Sequence, residues 1–181
     1  MRADAVRNRA RVLAAAETVL ARDGLDAPMR AIARQAGVGV GTIYRQYPTK
    51  EALCQAILAD RMQRLAAQAG TLADAADPGQ AFFAFFTSIV EDATTKKIFA
   101  DALQEAGIDA KATEPDAAHE VLRAIEALLT RAQRAGAIRD DVGMPELLGL
   151  LAGACLAAKQ QRWDNPLRTR TLRVIFDGLR R

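Results

Sequence analysis

Between Val40 and Lys50 the chain reads Val-Gly-Thr-Ile-Tyr-Arg-Gln-Tyr-Pro-Thr-Lys, which gathers hydrogen-bonding side chains at Thr42, Tyr44, Arg45 and Gln46 and an ammonium at Lys50. A hydroxyl, a phenol, a guanidinium and a carboxamide can meet both the edges of bases and phosphate oxygens. The chemistry on offer is recognition. Nothing elsewhere in the 181 residues arranges a nucleophile beside a base, a phosphate-cradling glycine loop or a spaced set of metal ligands. His119, the single histidine, has no acid, thiol or second histidine at a ligand or triad spacing and reads as structural or exposed. Cys54 and Cys155 lie 101 positions apart without metal spacing and read as free thiols, so no metal and no cofactor is expected.

Two short helices must hold these side chains. The first is expected from about Met29 to Ala36, entered through Pro28, whose missing N–H would have no partner there, with Ile32 and Ala33 facing inward. Gly37 follows where a helix-ending residue needs positive φ, and Val38 tucks under the turn. The second helix is expected from about Val40 to Tyr47. Ile43 and Tyr47, four apart, form its inner face, and Pro48 stops it, after which Thr49 can cap the next helix. Glycine at 39 and 41 is costly in an ordinary helix, by about 1 kcal/mol relative to alanine, but lets a backbone approach DNA closely. A short helix, a glycine turn and a second short helix match a helix-turn-helix, whose second helix enters the major groove. An ordinary helical hairpin is the competing reading.

The string from Ala36 to Leu53, AGVGVGTIYRQYPTKEAL, closely resembles the DNA-binding domain of the TetR family of bacterial transcriptional regulators, over roughly residues 5 to 65. That resemblance implies that Val40, Gly41, Thr42, Tyr44 and Gln46 face the groove. Thr42, Tyr44 and Lys50 also suit phosphate contacts, and Arg30 and Arg34 are placed to touch the backbone. Readout then rests on few side chains, with Gln46 expected to set preference at one base. It further implies a homodimer joined through its last two helices.

Half of the residues are apolar, proline is scarce at six, and alternating β-branched runs are nearly absent, which points to an all-α protein with a substantial core. Residues 1–64 carry eleven Lys/Arg against six Asp/Glu, a net +5, while the remainder carries fourteen against sixteen, a net −2. The basic excess coincides with the motif and suits double-stranded DNA. The longest apolar run, Leu147 to Ala158, is short for a membrane span and contains Gly149 and Gly153, and the charged start does not read as a signal peptide, so a cytoplasmic protein is expected.

The remaining helices are read from apolar spacing. About nine are expected: an N-terminal three-helix helix-turn-helix domain over 1–48, a linking fourth helix over 49–69, and a ligand-binding and dimerisation domain over 70–181. Val12, Ala16, Val19 and Leu20 mark helix one, and Arg2, Arg7, Arg9 and Arg11 before them form either a phosphate-touching arm or a solvated end. Helix five (about 78–92) holds four of the six phenylalanines within five residues, and helix six follows over about 95–106, before a loop over 107–115. Those rings either fill a central core or line a cavity for a small apolar or aromatic effector, with Met62, Phe82, Phe83, Phe86, Phe99 and Leu103 as its lining. Helix seven runs over about 116–135. Helix eight (145–162) is apolar nearly all round, and helix nine (166–180) carries a stripe, so Leu147, Leu151, Leu172, Ile175, Phe176 and Leu179 are expected at the dimer interface. Burial of both faces within one chain is the alternative. The expected function is a dimeric regulator, a repressor released from a palindromic operator by a ligand; an activator of the same fold, a non-specific architectural DNA binder, and a helical carrier or enzyme are the alternatives.

Overall fold

The computed structural model describes residues 2–105, 115–161 and 163–181; within these, the side chains of residues 2, 3, 5, 94–98, 100–103, 105 and 115–118 are not described. The described residues form eight helices: α1 (Arg2–Asp23), α2 (Met29–Ala36), α3 (Val40–Gln46), α4 (Lys50–Leu72), α5 (Pro78–Glu105), α6 (Pro115–Arg134), α7 (Met144–Gln160) and α8 (Asn165–Leu179). An isolated antiparallel bridge pairs Ile138 with Arg180. Nine helices were expected. The difference is α5, a single helix where a break was anticipated between 92 and 95; the residues there include neither proline nor glycine, so nothing interrupts its hydrogen bonds. The expected loop over 107–115 lies largely outside the described residues.

The chain divides into two compact units, one comprising Met1–Arg61 with Ile98–Glu114, the other Met62–Lys97 with Pro115–Arg181. Helices α4 and α5 supply residues to both.

In the first unit, α1 buries Val12, Leu13, Ala16, Val19 and Leu20 at helical spacing against Ile32 and Ala33 of α2, Ile43 of α3, and Leu53, Ile57 and Leu58 of α4. Phe99 of α5 is fully buried in this same core. An ion pair accompanies it: Arg61 of α4 donates to Glu17 of α1 at 2.9 Å, with the side chains 10% and 17% exposed. Burial pushes the Cys54 thiol up to about 11, with the nearby Glu51 charge adding to the shift, so it stays protonated at neutral pH.

In the second unit, Phe82, Phe85, Phe86 and Val90 of α5 pack with Val121, Ile125, Leu128 and Leu129 of α6, Leu147 and Leu151 of α7, and Leu172 and Leu179 of α8. Arg131 of α6 reaches the last turn of α4 and the residues after it, donating to the carbonyls of Leu72, Ala73 and Ala75. A helix C-terminus leaves carbonyls without partners, and a guanidinium satisfies them while complementing the negative end of the dipole. Asp164 caps α8 by accepting from the Leu167 N–H at 2.8 Å, and Arg168 of α8 pairs with Glu91 of α5 at 2.9 Å.

Candidate nucleic-acid interface

The turn between α2 and α3 is built by a left-handed glycine. Gly37 has φ of 65°, its N–H donates to the Arg34 carbonyl at 3.2 Å, and the Val38 N–H donates to Ala33 at 3.0 Å. This pair of bonds is a Schellman ending, and half-buried Val38 packs against the core beneath it, as that motif prefers. Only two residues then separate the C-cap from α3. Ile43 at 0% exposure and Tyr47 at 7% anchor α3 on the core, so the opposite side must face outward.

Outward from that anchor stand Val40 at 43% exposure and Tyr44 at 50%, with Gly41, Arg45 and Gln46 exposed and Thr42 half-buried. Arg30 and Arg34 project from α2 and are exposed as well. The stretch from Pro28 to Lys50 contains Arg30, Arg34, Arg45 and Lys50 and no acidic residue. Among the described residues Arg30, Arg34 and Arg45 form no ion pair, whereas Arg7, Arg22, Arg61, Arg139, Arg168, Arg180 and Arg181 each hold a carboxylate within 4.0 Å. Unneutralised guanidiniums on one surface attract a polyanion.

Lys50 is less free than its position suggests. It is half-buried, and its Nζ donates to the carbonyl of Leu25 in the segment before α2, tying the start of α4 to that segment. An ammonium has three donors, so two remain for another acceptor. Thr49 caps α4 through its hydroxyl, which accepts from the Ala52 N–H at 3.2 Å. Glu51 in the first turn sits below its ordinary carboxylate value through hydrogen bonds from its own backbone N–H and from Thr49. Among the described side chains, the arginines near the start of the chain lie on α1, where Arg7 is bonded to Asp4 and Arg11 donates to Asn8 at 2.9 Å.

The matches to known proteins cover both units. Residues 12–57 match the family described as bacterial regulatory proteins, tetR family, and residues 77–181 match the SbtR-like transcriptional regulator C-terminal domain. The chain belongs to the TetR family. A TetR transcription regulatory protein from Mycobacterium vanbaalenii is 42% identical over 99% of each chain, with a TM-score of 0.83. A TetR transcriptional regulator from Streptomyces coelicolor is 33% identical over 95% of this chain and 98% of its own, with a TM-score of 0.79. The fatty acid degradation regulator FadR from Bacillus halodurans, 18% identical over 94% of this chain and 98% of its own, shares the fold at a TM-score of 0.62. No curated protein matches the chain. The TetR-family helix-turn-helix is thus α2 and α3, with α1 and the start of α4 as its support.

The sites expected in the second unit are rearranged. Of the six residues expected to line a ligand cavity, the five whose side chains are described fall in two separate cores. Phe99 lies in the core of the first unit, and the side chain of Leu103 is outside the described residues. Phe82 and Phe86 are buried, Phe83 stacks on Phe176 with ring centroids 4.5 Å apart, and Phe86 meets Phe176 edge-on at 5.4 Å, so these rings fill space with one another. Met62 packs half-buried against that core. Open space lies instead between α4 and α6. A groove of about 350 Å³ is lined by Ala66, Ala69, Ala73, Ala124 and Leu128, with Ala127 on its exposed rim and the charged side chains of Glu120, Arg123 and Arg131 also along it.

The residues expected at a dimer interface take part in the chain's own core. Leu147, Leu151, Leu172 and Leu179 are buried in the chain's own core, and Ile175 and Phe176 are half-buried against it. The exposed apolar residues of this helix pair are Leu148, Leu150 and Leu156 of α7 and Val174 of α8. Leu148, Gly149, Ala152, Gly153 and Leu156 share the face of α7 opposite its buried stripe of Leu147, Leu151, Ala154 and Ala158. A Cβ placed on Gly149 or Gly153 would meet no atom within 4 Å, so packing within the chain does not require glycine at either position.

Proposed function

We propose that the protein is a dimeric transcriptional repressor that binds a palindromic operator and leaves it when a small apolar or aromatic molecule occupies the second unit. One observation carries this reading: the acid-free, cationic face of α2 and α3, with Thr42, Tyr44, Arg45 and Gln46 presented from an apolar anchor. Phosphate contacts from Arg30, Arg34 and Lys50 fix the register, and side chains of α3 read bases. Val40 and Gly41 offer thymine-methyl contact and close approach. Two copies joined through the outer face of α7 and Val174 of α8 present two copies of α3, so half-sites lie about one helical turn, roughly 34 Å, apart. The groove between α4 and α6 is the candidate effector site, because α4 carries residues of both units.

Selection of bound fragments from random DNA with the purified full chain tests the reading. The expected result is an enriched inverted repeat, bound at least about a thousandfold more tightly than random sequence at physiological salt. Placed across a promoter, that site should lower transcription in vitro when the protein is added. Failure to enrich any sequence would overturn the specific-regulator reading in favour of an architectural DNA binder.

A further inference from the structure

Helix geometry ranks the side chains of α3 by how squarely they face away from the protein. At about 100° per residue, the buried pair Ile43 and Tyr47 defines one direction, and Arg45 points about 180° from it. Gly41 and Thr42 fall roughly 40° and 60° to either side of Arg45, whereas Tyr44 and Gln46 stand about 100° off it, on opposite flanks of the helix. A helix laid in a groove with its anchor outward therefore directs residue 45 at the groove floor and residues 44 and 46 at its two walls. The walls of a groove are phosphate; its floor is base edges.

The conformation of Arg45 agrees with that direction. Its Nε donates to the Gly41 carbonyl at 3.4 Å, which is at the limit of a hydrogen bond. The side chain thus runs back toward the leading end of α3, as long side chains on helices do. A Cβ on Gly41 would meet nothing within 4 Å, so the clearance there serves no packing within the chain. No carboxylate holds the guanidinium among the described residues, and a single long bond to a carbonyl costs little to exchange.

We infer that Arg45 reads a guanine in each operator half-site through its planar guanidinium, donating to O6 and N7, and that the lack of a side chain at Gly41 lets α3 seat closely enough for it to do so. The inference rests on the proposed operator-binding function and assigns the base-reading role to Arg45, where Gln46 was the sequence-based candidate; Tyr44 and Gln46 become wall contacts. Bidentate donation to guanine is the arrangement a planar guanidinium fork matches best; a lysine ammonium reaches the same acceptors as a point charge with less geometric constraint.

The test is random-DNA selection with wild type, Arg45→Ala and Arg45→Lys, followed by titration of each against the wild-type site and random DNA. All three should share one melting temperature, since the side chain is exposed. Wild type should enrich a guanine at one symmetric position per half-site. Arg45→Ala should lose that preference alone and bind the site about 10- to 100-fold more weakly, with a much smaller loss on random DNA. Arg45→Lys should recover affinity for random DNA and keep at most a weakened preference for the guanine. Retention of every base preference by Arg45→Ala, or equal losses on specific and random DNA, would make Arg45 a phosphate contact and overturn the assignment while leaving the operator reading intact. Enrichment of no site by wild type would overturn both.

Discussion

Gly41 separates folding from function at a single position. Glycine inside a helix costs about 0.5 to 1 kcal/mol relative to alanine, and here nothing in the chain requires it, because the space beside it is open and its φ is not left-handed. Gly41→Ala should therefore leave stability unchanged or raise it by up to about 1 kcal/mol, read as a slightly higher melting temperature. The added methyl would stand on the outward side of α3, so operator affinity should fall by at least about tenfold, or 1.4 kcal/mol. A variant that is more stable and binds as tightly as wild type would show that α3 is not seated closely. Much at this scale was legible in the sequence: Gly37 as the turn, Ile43 and Tyr47 inward, Tyr44 outward. What was not legible is long-range. The bond from Lys50 to Leu25 joins residues 25 positions apart, and the Glu17–Arg61 pair spans 44, and no local spacing rule reports either.

At the scale of helices, legibility follows amphipathicity. Helices α1 and α2 have polar and apolar sides, and their inner residues could be read directly. Helix α7 does not: Leu147, Leu148, Leu150, Leu151 and Leu156 leave it apolar all round, so periodicity could not say which leucines meet the chain's own core. That is why Leu147 and Leu151, which the chain's own core buries, were expected at an interface. The two faces give opposite predictions. Leu156→Glu places a charge on a residue 51% exposed and should leave the fold intact, shift the protein to monomer in light scattering, and weaken operator binding by more than tenfold through loss of the second half-site. Leu147→Glu buries a charge at a fully enclosed position and should unfold the second unit. A Leu156→Glu protein that remains dimeric at micromolar concentration would remove the outer face of α7 from the interface. The undivided α5 teaches a related lesson, since polar residues such as Asp92, Thr94 and Thr95 weaken a helix without ending it.

Over the whole molecule, the consequence of a ligand for DNA binding is set by linkage. A compound that prefers the DNA-free form lowers operator affinity by a coupling free energy typically of about 1 to 3 kcal/mol, or roughly 5- to 150-fold, and DNA must weaken the compound by the same factor. The sequence located an effector site among phenylalanines. Folding placed Phe99 in the first unit and packed Phe82, Phe83, Phe86 and Phe176 against one another, because rings satisfy each other when nothing else fills the space. Alanines, which carry no such signal, make up half of the lining of the groove between α4 and α6, beside Glu120, Arg123 and Arg131. A thermal-shift screen of small aromatic and aliphatic compounds should therefore yield molecules that raise the melting temperature of the free protein and release the operator. Ala127→Trp, a substitution on the exposed rim of the groove, should obstruct it, weaken both effects strongly, and leave operator affinity in the absence of compound within about twofold of wild type, since rim substitutions away from the core cost little. If Ala127→Trp still responded to the same compounds at the same concentrations, the effector would have to bind outside this groove, and opening of the phenylalanine cluster would become the mechanism to test.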